Sequence, residues 1–149
     1  MITLTSVYKG RIRDKETHPR AVELLYELLM ERPAKANISH CALPSYEQHE
    51  KFVKSRPYYS WDLIRDGDSF VGAIYRTNLN EIGVAILKRF QRHGYALQAL
   101  KMMRNIRPLP GIPGYRSARY VAHVAANNEE SHALFTKAGG RLLSMTYVL

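Results

Sequence analysis

One junction restricts the fold of this chain more than any other stretch. The apolar run Ile82-Gly83-Val84-Ala85-Ile86-Leu87 leads into Gln91-Arg92-His93-Gly94-Tyr95-Ala96, which opens Leu97-Gln98-Ala99-Leu100-Lys101-Met102-Met103. A β-rich run, a short basic turn with one glycine and a run of helix formers spell strand, tight loop and helix. The first amides of such a helix have no partner inside it and carry the positive end of its dipole, so a phosphate suits the place. Gly94 allows close backbone approach, Ala96 keeps the next turn low, and Arg92 and His93 add charge. The same junction also serves as plain connection in many folds. It is no Walker loop, since no Gly-Lys-Ser/Thr follows, and the single glycine is no dinucleotide fingerprint.

At 149 residues, 46% hydrophobic and 23% charged, the chain reads as one globular domain, 1–149. No apolar run is long enough for a bilayer, and the start Met1-Ile2-Thr3-Leu4-Thr5 lacks the charged head and apolar body of a signal peptide. The expectation is a cytoplasmic protein with no membrane partner. Cys41 is the only cysteine, which excludes an intrachain disulfide and a thiolate cluster. His40 beside it would face the other way in an extended segment, so a packed thiol is expected. The six histidines show no ligand spacing, and no metal site is expected. With 22 Lys and Arg against 13 Asp and Glu, the net charge of +9 asks for a negatively charged partner. Nucleic acid, an anionic cofactor and an acidic surface all qualify.

In chain order, Met1 to Tyr8 reads as a strand and Lys9 to Lys15 as a basic turn. A helix begins near Pro19 with Thr17 as its cap, carries Val22, Leu24, Leu25, Leu28 and Leu29 inward, and stops before Pro33. Ser45 caps a second helix, Tyr46 to Lys54, with Phe52 and Val53 inward. Tyr58–Arg65, Ser69–Arg76 and Glu81–Leu87 form a meander, turned at Asp66-Gly67-Asp68 and Thr77-Asn78-Leu79-Asn80. Gly72 suits a bulge or a close contact. A helix follows from Gly94 to about Asn105. Arg107 to Ser117, with three prolines and two glycines, is an irregular loop. A strand over Arg119–Val124, a helix over Glu129–Lys137 closed by Gly139-Gly140, and a last strand over Arg141–Val148 complete the order. An asparagine caps that last helix, whose apolar face is Ala133, Leu134 and Ala138.

Two motifs in this order resemble the GNAT superfamily of N-acetyltransferases. Its phosphate loop, Gln/Arg-x-x-Gly-x-Gly/Ala, is matched by Gln91, Gly94 and Ala96. Its later pattern, Asn-x-x-Ala/Ser-x-x-Leu-Tyr-x-x-x-Gly-Phe, is matched by Asn128, Ser131, Leu134 and Gly139. The resemblance covers the chain closely from about Tyr58 onward. It implies an α/β (α+β) fold: a mixed, mostly antiparallel sheet, splayed between its fourth and fifth strands, with about four helices on its faces. Acetyl-CoA would lie in the splay as co-substrate. The backbone of Val84, Ala85 and Ile86 would hold its thioester and pantetheine arm. Beyond Gln91, the amides of Arg92, His93, Gly94, Tyr95 and Ala96 would hold the pyrophosphate. Asn128 would either bond the pantetheine or cap its helix.

In this family a base frees an acceptor amine to attack the thioester directly. Glu81, at the start of the fourth strand, is the residue the resemblance marks as base, and His123 on the facing strand is a second candidate. Either side chain also has a structural reading, as a solvated strand end and a hydrogen-bonded histidine. Two departures stand out. Phe135 occupies the place of the tyrosine that reprotonates the leaving thiolate, which leaves Tyr147, Tyr115 or solvent for that work, and Gly140 replaces an aromatic. The implied function is acetyl transfer from acetyl-CoA to a primary amine of a small molecule or protein. The alternatives are a nucleic-acid-directed protein, with a tRNA-linked acceptor or plain RNA binding, and a CoA-binding fold without turnover. The sequence leaves a homodimer open.

Overall fold

Period-two alternation gives the central sheet two apolar faces, and each face takes its own pair of helices. The computed structural model describes residues 1–10, 16–36 and 42–149. Strands β1 (Ile2–Ser6), β2 (Ser60–Asp66), β3 (Ser69–Arg76) and β4 (Ile82–Ile86) form one antiparallel sheet in the order β1-β2-β3-β4. Trp61, Leu63 and Ala73 pack against Val22, Leu24, Leu25 and Leu28 of α1 (Ala21–Glu31) and Val53 of α2 (Tyr46–Lys54). On the other face Ile64, Val71, Ile74 and Ile82 meet Leu100 and Met103 of α3 (Tyr95–Arg104), with Ala138 just past α4 (Glu129–Lys137).

The meander and the four helices are as the sequence predicts. Ser45 forms a full capping box with Gln48, and Gly67 turns the β2–β3 hairpin at φ +55°. Gly72 is a close contact: a Cβ there would stand 2.2 Å from the Ala85 carbonyl oxygen, so only glycine lets β3 and β4 meet. The register also shifts beside it: Gly72 pairs with Ile64 and Phe70 with Arg65, which leaves Val71 as the extra residue on β3.

Several expectations fail for identifiable reasons. Thr17 does not cap α1, because it pairs with Tyr8 in an isolated bridge; Arg20 is the N-cap, without a side-chain bond. Phe52 lies 45% exposed, edge-on to Tyr58 and Trp61, while His49 takes the inner position of α2. Leu134 and Ala138 pack inward as expected, but Ala133 is exposed and Phe135 takes the third inward place. Residues 119–124 form no strand, only one parallel bridge from Val121 to Glu81. Residues 141–148 form none either; their main chain finds no neighbour to ladder with, and Leu142 and Tyr147 are 65% and 78% exposed. With no fifth strand among the described residues, the structure does not establish the expected splay. The turn expected over Lys9–Lys15 and the pair His40 and Cys41 lie wholly or partly outside the described residues.

Asn80 fixes the Pro-rich loop to the start of β4. It is fully buried in the left-handed conformation (φ 62°), which asparagine tolerates better than most residues. Its Nδ2 donates to the carbonyls of Leu109 and Ser117, each at 2.8 Å, and its Oδ1 accepts from the Leu109 N–H at 2.9 Å. Replacing Asn80→Ala removes three bonds and leaves buried main-chain groups unpaired, so urea denaturation is expected to show a loss of about 3 kcal/mol. A loss below about 0.5 kcal/mol would mean that the loop is held elsewhere.

Candidate active site

The outer edge of β4 is where the candidate site begins. Ile82 N–H donates to the Val121 carbonyl at 2.8 Å, and Val121 N–H donates to the Asn80 carbonyl at 3.0 Å. There the ladder stops. Main-chain groups alternate sides along a strand, and Leu87 N–H points back to Val71 in β3. Val84 and Ile86 therefore turn their main chains outward with Ile82, while Ala85 faces its partner Ala73. The Gln91 side chain reaches back to the Ile86 carbonyl at 3.0 Å. Among the described residues no protein group occupies the outward N–H and C=O of Val84.

Beyond β4 the chain makes one 3-10 turn, Lys88–Phe90, and then the loop into α3. Arg92 (φ 65°) and Gly94 (φ 78°) are both left-handed, and such alternation curls successive N–H groups toward a common point. Gly94 is also the N-cap of α3, with no side-chain bond to its first turn. No acceptor among the described residues meets the amides of Arg92, His93, Gly94, Tyr95 or Ala96. Residues 91–94 are exposed, and a Cβ on Gly94 would meet nothing nearer than Gln98 Nε2 at 3.9 Å. Tyr95 anchors the helix start by donating its hydroxyl to Asp66 at 2.8 Å, a bond that holds the Asp66 carboxyl below its usual pKa.

On the sheet face shared with α1 and α2, Glu81 and His123 meet: His123 Nε2 stands 3.0 Å from Glu81 Oε1. Glu81 Oε2 accepts from the Thr77 hydroxyl at 3.2 Å, so the carboxylate is held at both oxygens. Next along the strand, the Tyr75 ring lies over Gly83, its strand partner; a Cβ there would stand 2.4 Å from the Tyr75 hydroxyl. Tyr58 stacks on the far side of that ring at 4.1 Å and 10°, and Trp61 meets Tyr58 edge-on at 4.8 Å. Burial pushes the Tyr58 phenol up to about 12 and raises Tyr75, where the Arg32 charge opposes the shift and the Glu81 charge adds to it. Sequence reading did not find Tyr75; the available signal was Gly83, since a strand glycine marks close approach.

Asn128 caps α4, its Oδ1 accepting from the Ser131 N–H at 3.2 Å. Lys35 bonds both oxygens of Glu130 in the first turn of the same helix, at 2.7 and 2.6 Å. At the other end, Gly139 N–H donates to the Thr136 carbonyl and Gly140 N–H to the Phe135 carbonyl, the pair of bonds that defines a Schellman stop. A Cβ on Gly140 would stand 2.8 Å from that Phe135 oxygen, which explains a glycine there. Phe135 packs into the α3–α4 core. Among the described residues no cluster of His, Cys, Asp and Glu could hold a metal, and no helix is long and apolar enough to cross a membrane.

No family model and no curated protein sequence matches the chain. Solved structures do. An acetyltransferase from Thermus thermophilus superposes with a TM-score of 0.63 at 21% identity, over 94% of this chain and 86% of that one. The microcin C7 self-immunity acetyltransferase, in complex with acetyl-CoA and AMP, gives 0.59 at 17% identity, over 93% and 77%. A GNAT-family acetyltransferase from Streptococcus pneumoniae gives 0.51 at 15%, over 100% and 98%. The chain shares the fold of these acetyltransferases, one of which is a GNAT-family protein.

The Asn128 cap needs no ligand, so Asn128→Ala is expected to cost about 1 kcal/mol of stability in the free protein, with Asn128→Ser close to wild type. Equal thermal unfolding of Asn128→Ala and wild type would leave the residue without a structural role.

Proposed function

We propose that this chain transfers the acetyl group of acetyl-CoA to a primary amine by direct attack of the amine on the thioester. The observation that carries the reading is the run of unpartnered amides at Arg92–Ala96, set directly beyond a β4 edge whose Val84 main chain is also unpartnered. A diphosphate supplies acceptors for the first, and a pantetheine amide supplies both a donor and an acceptor for the second. The residues present fit such a ligand, since the loop is exposed and nothing crowds Gly94.

Acetyl-CoA brings the activated acyl group. The protein supplies position and proton handling. Val84 and Ile86 hold the arm by strand-like bonds, and the amides of Arg92, His93, Gly94, Tyr95 and Ala96 hold the diphosphate. Ala85 stays paired to β3, and Asn128 stays on its helix. Glu81 accepts the amine proton, with His123 and Thr77 fixing the carboxylate. The acceptor approaches from the face lined by Tyr58, Tyr75 and Trp61, where Glu81 sits.

Calorimetry with acetyl-CoA tests the seat. Gly94→Glu puts a carboxylate among the amides, and a like-charge contact of several kcal/mol weakens binding by at least about a hundredfold. Gly94→Asn keeps the left-handed backbone with a neutral side chain and controls for folding. Undiminished binding by Gly94→Glu would remove the reading. In a thiol-release assay across primary amines, Glu81→Gln is expected to lower kcat by about 10² or more with acetyl-CoA binding unchanged. An unchanged kcat would take the base role from Glu81.

A further inference from the structure

We propose that Tyr75 is the acid that returns a proton to the leaving sulfur, the task that Phe135 in α4 has no hydrogen to perform. The proposal rests on the acetyl-transfer reading and adds a residue to it.

Four features support Tyr75. Its ring crosses from β3 onto β4 and ends with the hydroxyl over Gly83, between Glu81 and the outward-facing Val84. Only a glycine leaves room for it: the ring carbons Cε1 and Cζ would each be 2.3 Å from a Cβ at that position. The ring is also fixed, clamped between the Gly83 backbone and the stacked Tyr58. No described residue takes the hydroxyl hydrogen, so the donor is unspent. Burial raises the phenol, with the Arg32 charge opposing the shift and the Glu81 charge adding to it. The other tyrosines are less suited. Tyr147 and Tyr115 are 78% and 60% exposed, and Tyr120 already donates to the Ile106 carbonyl while accepting from Arg76.

The step balances without a further reactant. The amine lone pair forms the C–N bond, the C–S bond breaks, and the sulfur leaves with the electron pair. Tyr75 gives its O–H proton to that sulfur, and the proton that Glu81 took from the amine restores the phenol. Tyr75 and Glu81 sit on one sheet face, the hydroxyl over the residue two places along from Glu81.

The test needs no acceptor. CoA itself is the probe: its thiol is titrated in the complex by thiolate ultraviolet absorbance, for wild type and Tyr75→Phe. A phenol donating to the thiolate stabilises the charged form, so its removal is expected to raise the bound thiol's pKa and cut the thiolate fraction at fixed pH at least about tenfold. CoA affinity should stay the same at a pH well below the bound thiol's pKa, where the sulfur is neutral, because the ring and its stack remain. Gly83→Ala, which pushes the ring off β4, is expected to reproduce the shift. CoA bound equally by all three proteins with one common thiol titration overturns the Tyr75 assignment and leaves acetyl transfer standing. Failure of wild type to bind CoA contradicts the transferase reading itself.

Discussion

Everything distinctive in this molecule follows from β4 being laddered on one side only. Its inner edge pairs with β3 from Ile82 to Ile86, and among the described residues its outer edge is engaged only by Val121 at the start and by the Gln91 side chain on the Ile86 carbonyl at the end. Main-chain polar groups left unpaired are costly unless something meets them, so a strand that stops pairing beside a covered core is a place where a ligand or water completes the ladder. The loop into α3 extends the same condition, with its amides curled by Arg92 and Gly94 and no carbonyl among the described residues to receive them. One strand edge and one helix mouth thus form a continuous row of main-chain donors and acceptors.

The rest of the fold holds that row in place. On one face α3 packs Leu100 and Met103 against Ile74 and Ile82, which fixes the helix mouth relative to β4. On the other, Tyr58, Tyr75 and Trp61 form an aromatic wall whose stacked pair contributes about 1 kcal/mol beyond burial. Asn80 fastens the Pro-rich loop at the point where β4 begins, and Val121 bonds to the same residue's carbonyl. The backbone pairing on the outer edge is therefore anchored at its start, and beyond it only the Gln91 side chain, on the Ile86 carbonyl, meets that edge among the described residues.

Much of this was legible in the sequence because it is local. Ser45 with Gln48, Gly67 between Asp66 and Asp68, Gly94 before an apolar helix and Asn128 before another are signals whose partners lie a few residues away, and each is where it was expected. The failures are non-local. Arg119–Val124 and Arg141–Val148 carry strand-like composition, but a strand exists only with a neighbour, and composition does not supply one. Thr17 has the chemistry of a cap and is claimed by Tyr8 across a loop. Tyr75 escaped notice because its significance depends on the register that sets it opposite Gly83, and register is a property of two strands together. Glu81 and His123 were chosen separately from the sequence; that they touch is a fact of the fold.

The net charge of +9 identifies no partner by itself, since its basic residues are spread along the chain rather than gathered in one tract. The main-chain row is the sharper feature, and amide NMR addresses it directly. Titration with CoA should move the N–H resonances of Arg92 to Ala96 together with those of Val84 and Ile86, whereas pantetheine, which lacks the diphosphate, should move only Val84 and Ile86. Resonances that stay still under both, or that shift only at sites away from β4 and the start of α3, would contradict the account.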